Sequence, residues 1–301
     1  MRSLQDLLSM EDLTIAMIVM ALLSIAIFFA VRAVFRKAPG VVLDGLAVIL
    51  VLSVGVYVRL VWGQLWIVKW IPLSSVIVLS NWFPLILGAL AGVLWVRAQS
   101  QSILRRLPVQ ILLLAGAIWS MVYVIPGKPP ECEDSWIDAR PTIPFRICRQ
   151  TTPYTCSAAA LATILGSVGI DTTEAEMASL CLTKEGTTWL GIYHGLTVRL
   201  RGSGYRAEFF ECSRDELSKV TAEYAALLCC ELSDEVDARE PMYRELNGWI
   251  PGIKHSTVLF GLVGDRYLIG DPSQFEPEIW TETDIDNLWT GSGLCLVKID
   301  P

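Results

Sequence analysis

The chain has 301 residues, of which 53% are hydrophobic and 18% are charged. A soluble domain carries about 25% charged residues, so this composition excludes a single soluble globular domain and a disordered chain. Residues 1–126 contain 9 Lys/Arg and 4 Asp/Glu, whereas residues 127–301 contain 15 Lys/Arg, 27 Asp/Glu and all 8 cysteines. The acidic part repels phosphate, which excludes nucleic acid as a partner. The chain therefore divides into an apolar, basic part and an acidic domain.

Four apolar runs in the first part are long enough to cross a bilayer, which takes roughly 20 helical residues. They cover about 13–34, 41–60, 75–96 and 108–125. The first run is preceded by acids and followed by cations, which is the reverse of a secretory signal peptide. Residues 1–126 are therefore interpreted as an uncleaved transmembrane region with four helices, and the lipid bilayer is an expected partner.

The distribution of Lys and Arg between the short loops predicts the orientation of these helices. Six cations lie in the first and third loops: Arg32, Arg36, Lys37, Arg97, Arg105 and Arg106. The other side carries four: Arg2, Arg59, Lys69 and Lys128. Because cations favour cytoplasmic loops, this bias predicts an integral, multi-pass protein of a bacterial cell membrane with its acidic domain outside the cytoplasm. Eight cysteines in that domain also favour an oxidising compartment.

Polar groups are few within the apolar runs, which favours an anchor over a transport path. Asp44 and Arg59 lie near opposite ends of the second run, where their side chains are expected to reach the interface. Gly88 and Gly92 have a small-xxx-small spacing that allows close helix packing.

The second part begins with a Pro-rich, charged linker at 127–144, followed by a domain at 145–301. Thr155 is an expected helix N-cap, and Cys156 then opens an apolar, helix-periodic run. The free N–H groups and the dipole at a helix N-terminus stabilise a thiolate. Cys156 is therefore a candidate nucleophile, since a structural cysteine would more naturally lie within the apolar stripe.

Helical signals come before the strand signals in this domain. The expected caps of further helices are Thr172 or Thr173, Thr188, and Ser213 with Glu216. The expected strands cover 225–232, 255–263, 266–270, 278–280 and 293–299. Gly264 and Asp265 predict a tight hairpin turn between the second and third of these strands. The order predicts an α+β fold, with N-terminal helices followed by an antiparallel sheet.

The chain has two histidines, and their surroundings differ. His255 opens a predicted strand after a loop, where its imidazole can take a proton from a cysteine nucleophile and later donate it to the leaving amine. His194 lies within a predicted helix and is interpreted as a surface or satisfied helix residue. Asp271 ends the neighbouring strand and is placed to orient the His255 ring. Gln150 is placed to bind an oxyanion together with the Cys156 N–H.

These segments resemble a known family, the bacteriocin-processing (double-glycine) peptidases, which are papain-like cysteine peptidases. The similar segments, spread over roughly 145–300, are QTTPYTC followed by SAAALATIL, then GTTWLGIYHGL, KHSTVLFGLV, GDRYLIGDPS and LWTGSGLCLV. The resemblance implies a papain-like fold, a peptide or protein substrate and cleavage at double-glycine-type leader sites. It also implies that Cys156 is the nucleophile, His255 the base, Asp271 the orienting residue and Gln150 part of the oxyanion hole.

The chain departs from this family in three respects. Ser157 follows the candidate nucleophile where the family usually has glycine. The peptidase-like domain follows four predicted spans. No GxxxxGK[ST] loop occurs, so no ATP-driven export by this chain is expected, which leaves a separate exporter open as a partner.

The other cysteines leave alternatives open. Cys132 and Cys148 are a candidate disulfide that would staple the linker to the domain. Cys229 and Cys230 face opposite sides of a strand and are not expected to enter one core together, so at least one needs a partner, with Cys212 nearest in sequence. No CxxC spacing occurs, so no metal site and no cofactor are expected.

Two other functions also remain open. One is a catalytically inactive papain-like module that binds peptides at the membrane surface. The other is a membrane scaffold or transporter accessory whose main role lies in its four spans.

Overall fold

The computed structural model describes residues 4–122, 124, 128–138, 146–220 and 224–299. The chain forms two compact units, Met1–Pro126 and Gly127–Pro301. The first unit is helical, and the second mixes helices with antiparallel strands.

The first unit contains four segments that are long and apolar enough to cross a membrane. Its helices are α1 (Leu4–Val34), α2 (Gly40–Leu60), α3 (Val76–Leu79), α4 (Phe83–Arg97) and α5 (Ile103–Val122), with a 3₁₀ helix at Leu65–Lys69. The four candidate spans are Glu11–Val34, Gly40–Leu60, Val76–Arg97 and Ile103–Val122. They match the four predicted apolar runs in number and place.

The third predicted span is not one continuous helix, because the chain breaks between α3 and α4. Tyr57 of α2 donates its hydroxyl to the Ser80 carbonyl at 2.7 Å and accepts the Trp82 N–H at 3.1 Å. Asn81 is fully buried, and its side chain donates to the Ser120 carbonyl at 2.7 Å. These bonds satisfy polar groups that an apolar environment would otherwise leave unpaired, so the interruption is tolerated.

Helix α4 contacts α1, α2 and α5, and its small residues face α1. A Cβ atom at Gly88 would lie 2.7 Å from the carbonyl oxygen of Ser24, and one at Gly92 would lie 2.9 Å from that of Phe28. A larger residue at either position therefore requires the two helices to move apart. The spacing noted in the sequence serves close packing of α1 and α4.

The carboxylate of Asp44 has a partner on another helix. The distance from Asp44 Oδ1 to Arg97 Nε is 2.8 Å. This pair joins the fifth residue of α2 to the last residue of α4. It brings the two cation-rich loops, which follow α1 and α4, to the same end of the unit.

The second unit has seven helices and eight strands in its described part. The helices are α6 (Cys156–Ser167), α7 (Glu174–Leu180), α8 (Trp189–Arg199), α9 (Arg214–Val220), α10 (Asp234–Arg239), α11 (Met242–Glu245) and α12 (Glu282–Leu288). The strands are β1 (Trp136–Asp138), β2 (Arg146–Cys148), β3 (Tyr205–Glu211), β4 (Ala226–Glu231), β5 (Lys254–Val263), β6 (Arg266–Gly270), β7 (Glu278–Trp280) and β8 (Trp289–Lys298). Strands β1 and β2 form a separate hairpin, and the other six form an antiparallel sheet in the order β3-β8-β4-β5-β6-β7.

Local signals account for several of these boundaries. The Thr173 side chain accepts the Glu176 N–H at the start of α7, as predicted for one of two threonines. The Thr188 side chain caps α8 in the same way. Gly264 has a φ of 68°, which suits the predicted turn between β5 and β6. Thr155 is the N-cap residue of α6, as predicted, but its side chain makes no capping hydrogen bond, because its hydroxyl donates to the Thr152 carbonyl at 3.2 Å.

The cysteine expectations are corrected by the burial of strand β4. All eight cysteines are unpaired, including Cys132 and Cys148. Cys229 and Cys230 are both buried but do not share one core, as predicted, whereas the expected partner for one of them is wrong because both are unpaired. Strand β4 lies inside the sheet with both faces covered, by helix α6 on one side and by an apolar cluster containing Cys230 on the other. Two adjacent side chains are therefore buried in two different places.

A substitution at Gly195 tests the packing of α8 against the end of α7. A Cβ atom there would overlap the Cys181 sulfur and lie 2.9 Å from the Cys181 nitrogen. We expect Gly195→Ala to lower the free energy of unfolding by about 1–3 kcal/mol through overpacking. Gly166→Ala is the matched control, because nothing lies within 4 Å of its added Cβ, and it should stabilise α6 by about 0.5–1 kcal/mol. Thermal unfolding of the detergent-solubilised chain measures both, and equal stability of the two variants would contradict this packing.

Candidate active site

The predicted site residues meet at one end of the large sheet. Cys156 is the first residue of α6, His255 is the second residue of β5, and Asp271 follows β6 directly. Strands β5 and β6 pair antiparallel with Val258 opposite Gly270, so the start of β5 lies beside the residues after β6. Helix α6 packs on β5. The helix, the strand and the strand end together position three side chains from distant parts of the sequence.

The imidazole of His255 is held by the carboxylate of Asp271, with 2.7 Å between Nε2 and Oδ1. The Asp271 side chain is 1% exposed. Its Oδ1 also accepts hydrogen bonds from the backbone N–H and the hydroxyl of Ser273, each at 2.8 Å. Burial alone would raise the pKa of Asp271, but the charge of His255 and these hydrogen bonds lower it below its usual value. Asp271 is therefore an ionised acceptor that fixes the orientation of the ring.

The imidazole of His255 also interacts with the thiol of Cys156. Trp249 packs edge-on against the ring, with 5.0 Å between the ring centroids. Burial alone would lower the pKa of His255. The charge and hydrogen bond of Asp271, followed by the contact with Cys156, raise that pKa well above its ordinary value. These contacts therefore favour the protonated form of His255.

The Cys156 thiol is the acidic partner of this pair. Burial alone would raise its pKa, but four contacts reverse the direction and lower it. They are the hydrogen bond and the charge of His255, the backbone N–H of Ser256 and the hydroxyl of Ser157. The start of a helix adds unpaired N–H groups that favour a negative charge. The contacts around Cys156 and His255 thus favour the charged form of each group.

The other seven cysteines, all of which lie in the described part, have the opposite tendency. Burial raises the thiol pKa to about 11 at Cys132 and Cys295 and to about 12 at Cys229. Burial also raises the pKa of Cys148, Cys181, Cys212 and Cys230. Among the eight thiols, only that of Cys156 has its charged form stabilised.

Gln150 lies between β2 and α6 and lines the same cleft as the other three predicted residues. Its backbone N–H donates to the Pro272 carbonyl at 2.9 Å, which ties it to the residue after Asp271. Its side-chain Nε2 donates to the Thr152 carbonyl at 3.1 Å. A primary amide has two N–H groups, so a second donor remains for a ligand. All four predicted residues are thus brought together.

Glu174 supports this site and was missed by the sequence analysis. Its side chain is fully buried and accepts hydrogen bonds from the backbone N–H of Thr151 at 2.8 Å and from the Thr151 hydroxyl at 2.7 Å. Thr151 is the neighbour of Gln150, so the buried carboxylate fixes the segment that carries the oxyanion-hole candidate. In sequence, Glu174 is an ordinary acid in the first turn of a helix, which gives no functional signal.

A cleft of about 170 Å³ exposes these groups to a ligand. Beyond the predicted residues, its wall comes mainly from the loop before β5, including Trp249, Ile250 and Ile253. Ile250 is 63% exposed and Ile253 is 57% exposed, so this wall is open and apolar. Such a cleft can take an extended peptide segment beside the thiol.

His194 takes no part in this site. It is fully buried within α8 and does not line the cleft. The expectation of a surface position is wrong, because α8 is packed against α6, α7 and β3. The alternative, a satisfied residue inside the helix layer, agrees with this burial.

No protein-family model matches the chain. An uncharacterized protein of Methanothermobacter marburgensis is 38% identical over 88 residues, which are 27% of this chain and 62% of that protein. An uncharacterized protein of Methanothermobacter thermautotrophicus is 32% identical over 111 residues, which are 33% of this chain and 78% of that protein. The chain belongs to the family of this second Methanothermobacter protein. With the first relative, the match spans less than two thirds of the relative's length.

Solved structures that are similar to this chain include two peptidase domains of transporters. One is the peptidase domain of Streptococcus ComA, a bi-functional ABC transporter of a quorum-sensing pathway, with a TM-score of 0.39 and 19% identity over 50% of this chain and 96% of that chain. The other is a double-glycine-motif protease of an AMS/PCAT transporter in complex with a leader peptide. It has a TM-score of 0.36 and 18% identity over 50% of this chain and 89% of that chain.

Proposed function

We propose that the chain is a membrane-anchored cysteine peptidase of the papain-like, bacteriocin-processing type, with Cys156 as nucleophile and His255 as general base and acid. The observation that carries the proposal is the buried series of contacts from Asp271 through His255 to Cys156. These contacts lower the pKa of the Cys156 thiol, whereas burial raises the pKa of the other seven thiols. A structural cysteine has no need of a stabilised charge, whereas a nucleophile does.

Acylation follows from the positions of these groups. The thiolate of Cys156 attacks the carbonyl carbon of the scissile bond, and the carbonyl oxygen becomes an oxyanion. The Cys156 N–H at the start of α6 and the free N–H of Gln150 donate to that oxyanion. The imidazolium of His255 then gives its proton to the leaving amine, and the carbon–nitrogen bond breaks. The product is a thioester on Cys156 and a free amine.

Deacylation returns the site to its starting state. Neutral His255 takes a proton from a water molecule, which attacks the thioester carbonyl through the same oxyanion site. The carbon–sulfur bond breaks, the acid product leaves, and Cys156 is again a thiolate beside an imidazolium. Asp271 keeps the ring in position throughout, and Glu174 keeps the Gln150 segment in position.

The remaining parts of the proposal concern membrane placement and partners. The four apolar helical segments anchor the chain as a multi-pass protein, and the cation bias of the loops favours an extracytoplasmic second unit. The cysteines add no weight to that orientation, because all eight are unpaired. A peptide or protein is the substrate, double-glycine leader sites are the candidate cleavage class, and any export is left to a separate protein.

Selective alkylation of Cys156 tests the enzyme against an inactive peptide-binding module. We expect limiting iodoacetamide at pH 6.5 to modify Cys156 at least about tenfold faster than any other cysteine of the detergent-solubilised chain, because ordinary thiols are almost wholly protonated there. Peptide mass mapping measures each site, and the urea-unfolded chain is the control, in which the preference disappears. Equal labelling of several thiols in the folded chain would favour the inactive module. A membrane-impermeant form of the reagent in intact cells tests the orientation, since it reaches Cys156 only from outside.

A further inference from the structure

Two buried serines connect the helix of the nucleophile to the strand of the base. Ser157 follows Cys156 on α6, and Ser256 follows His255 on β5. Their hydroxyl oxygens lie 2.9 Å apart, and the residues are 3% and 0% exposed. A buried hydroxyl pair of this kind is a hydrogen bond sheltered from water, so it holds the two elements in register one residue beyond each reacting group.

The same pair reaches the sulfur. The Sγ of Cys156 lies 3.9 Å from the Oγ of Ser157, within hydrogen-bond range for sulfur. A hydroxyl has one proton and two acceptor lone pairs, so Ser157 cannot donate to the sulfur and to Ser256 at once. When Ser256 donates to Ser157, the proton of Ser157 is directed to the sulfur. The order of donors is then Ser256 to Ser157 to the Cys156 thiolate.

We propose that Ser157 and Ser256 are positioning residues that form a two-hydroxyl relay to the Cys156 thiolate, with Ser157 as the direct donor and Ser256 acting only through it. This inference rests on the proposed function, because it assigns the relay to the nucleophile of that reaction. Ser157 occupies the position where the resembling family usually has glycine, so the resemblance assigns this residue no role. Each added hydrogen bond to the sulfur spreads its charge and fixes its direction toward the cleft.

Three other ionisable groups lie around the Cys156 sulfur. His255 faces it from β5, Asp271 lies behind His255, and the thiol of Cys230 lies on β4 within electrostatic range. The serine variants leave all three in place. A change in the titration of Cys156 in those variants therefore reports on the hydroxyls themselves.

The test is the rate of Cys156 alkylation by iodoacetamide as a function of pH in the detergent-solubilised chain. A hydrogen bond to a thiolate lowers the pKa of the thiol by about one unit. We therefore expect Ser157→Ala to move the midpoint of the curve of alkylation rate against pH upward by about one pH unit. Ser256→Ala should move it in the same direction by less, since Ser157 can still donate. In the Ser157→Ala background, Ser256→Ala should add nothing further.

Ser167→Ala is the matched control, because Ser167 lies at the far end of α6 and its hydroxyl donates to the Ile164 carbonyl at 2.7 Å. It should leave the midpoint unchanged. Ser157→Gly is the second variant if Ser157→Ala fails to fold, as judged by circular dichroism. An unchanged midpoint in the Ser157 variant, or additive shifts in the double variant, would overturn the relay. Because alkylation needs no peptide substrate, absence of peptide cleavage would refute the proposed function and leave this result standing.

Discussion

Replacing Cys156 by alanine is expected to abolish peptide hydrolysis by the full chain, with a fall in kcat/KM of at least about 10³-fold. The reason is that the proposed reaction passes through a bond to this sulfur, and His255, on another element, favours the charged form of the thiol. His255→Ala should be nearly as damaging, because both the thiolate and the proton donor are then lost. Cleavage of a fluorogenic peptide library by the solubilised chain measures both variants.

Cys212→Ser is the matched control for this prediction. It also removes a thiol from the second unit, but Cys212 does not line the cleft and burial raises its pKa. Its kcat/KM should stay within about twofold of the parent chain, as for a surface change away from the site. Cleavage by Cys156→Ala at the parent rate would show that Cys156 takes no part in the reaction, whatever the control shows.

Replacing Asp271 by asparagine is expected to narrow the pH range of activity from both sides. The active pair is a thiolate and an imidazolium, which coexist between the lowered pKa of Cys156 and the raised pKa of His255. Burial alone would lower the His255 pKa, and the charge of Asp271 is the main influence that opposes it. Without that charge the pKa of His255 falls and that of Cys156 rises. The alkaline limb therefore moves to lower pH and the acid limb to higher pH.

The pH profile of kcat/KM measures this narrowing. In Asp271→Asn, kcat/KM at the optimal pH should fall by about 10²- to 10⁴-fold. Asp265→Asn makes the same chemical change in the exposed turn between β5 and β6 and should leave both limbs in place. If kcat/KM of Asp271→Asn falls by the same factor at every pH and neither limb of the profile moves, Asp271 has a structural role only.

The hydrophobic periodicity of the sequence and its turn and cap residues predict most of the helices and strands. The four apolar runs, the helix that starts at Cys156 and the hairpin around Gly264 all follow from local signals, because each depends on residues close together in the chain. The strand at Tyr205–Glu211 was missed, although its side chains alternate between exposed and half-buried. It lies at the edge of the sheet, where a polar composition hides the period of two.

The parts that sequence does not predict depend on contacts between distant segments. The break before α4 needs Tyr57 of another helix, and the buried carboxylate of Glu174 is explained only by Thr151 in three dimensions. The edge contact of Trp249 on the His255 ring comes from a loop with no regular period. Residue chemistry and spacing predicted four residues that the structure brings to one cleft, whereas the residues that hold them in place were not predictable.

Trapping of the acyl intermediate tests the central claim most directly. The solubilised chain would be mixed with a short peptide p-nitrophenyl ester, quenched in acid within the first turnover and digested for mass mapping. We expect an acyl mass increment on the peptide that contains Cys156, absent from Cys156→Ala and slow to form in His255→Ala. Release of p-nitrophenol with no increment at Cys156, or an increment on a different cysteine, would contradict the assignment of this sulfur as the nucleophile.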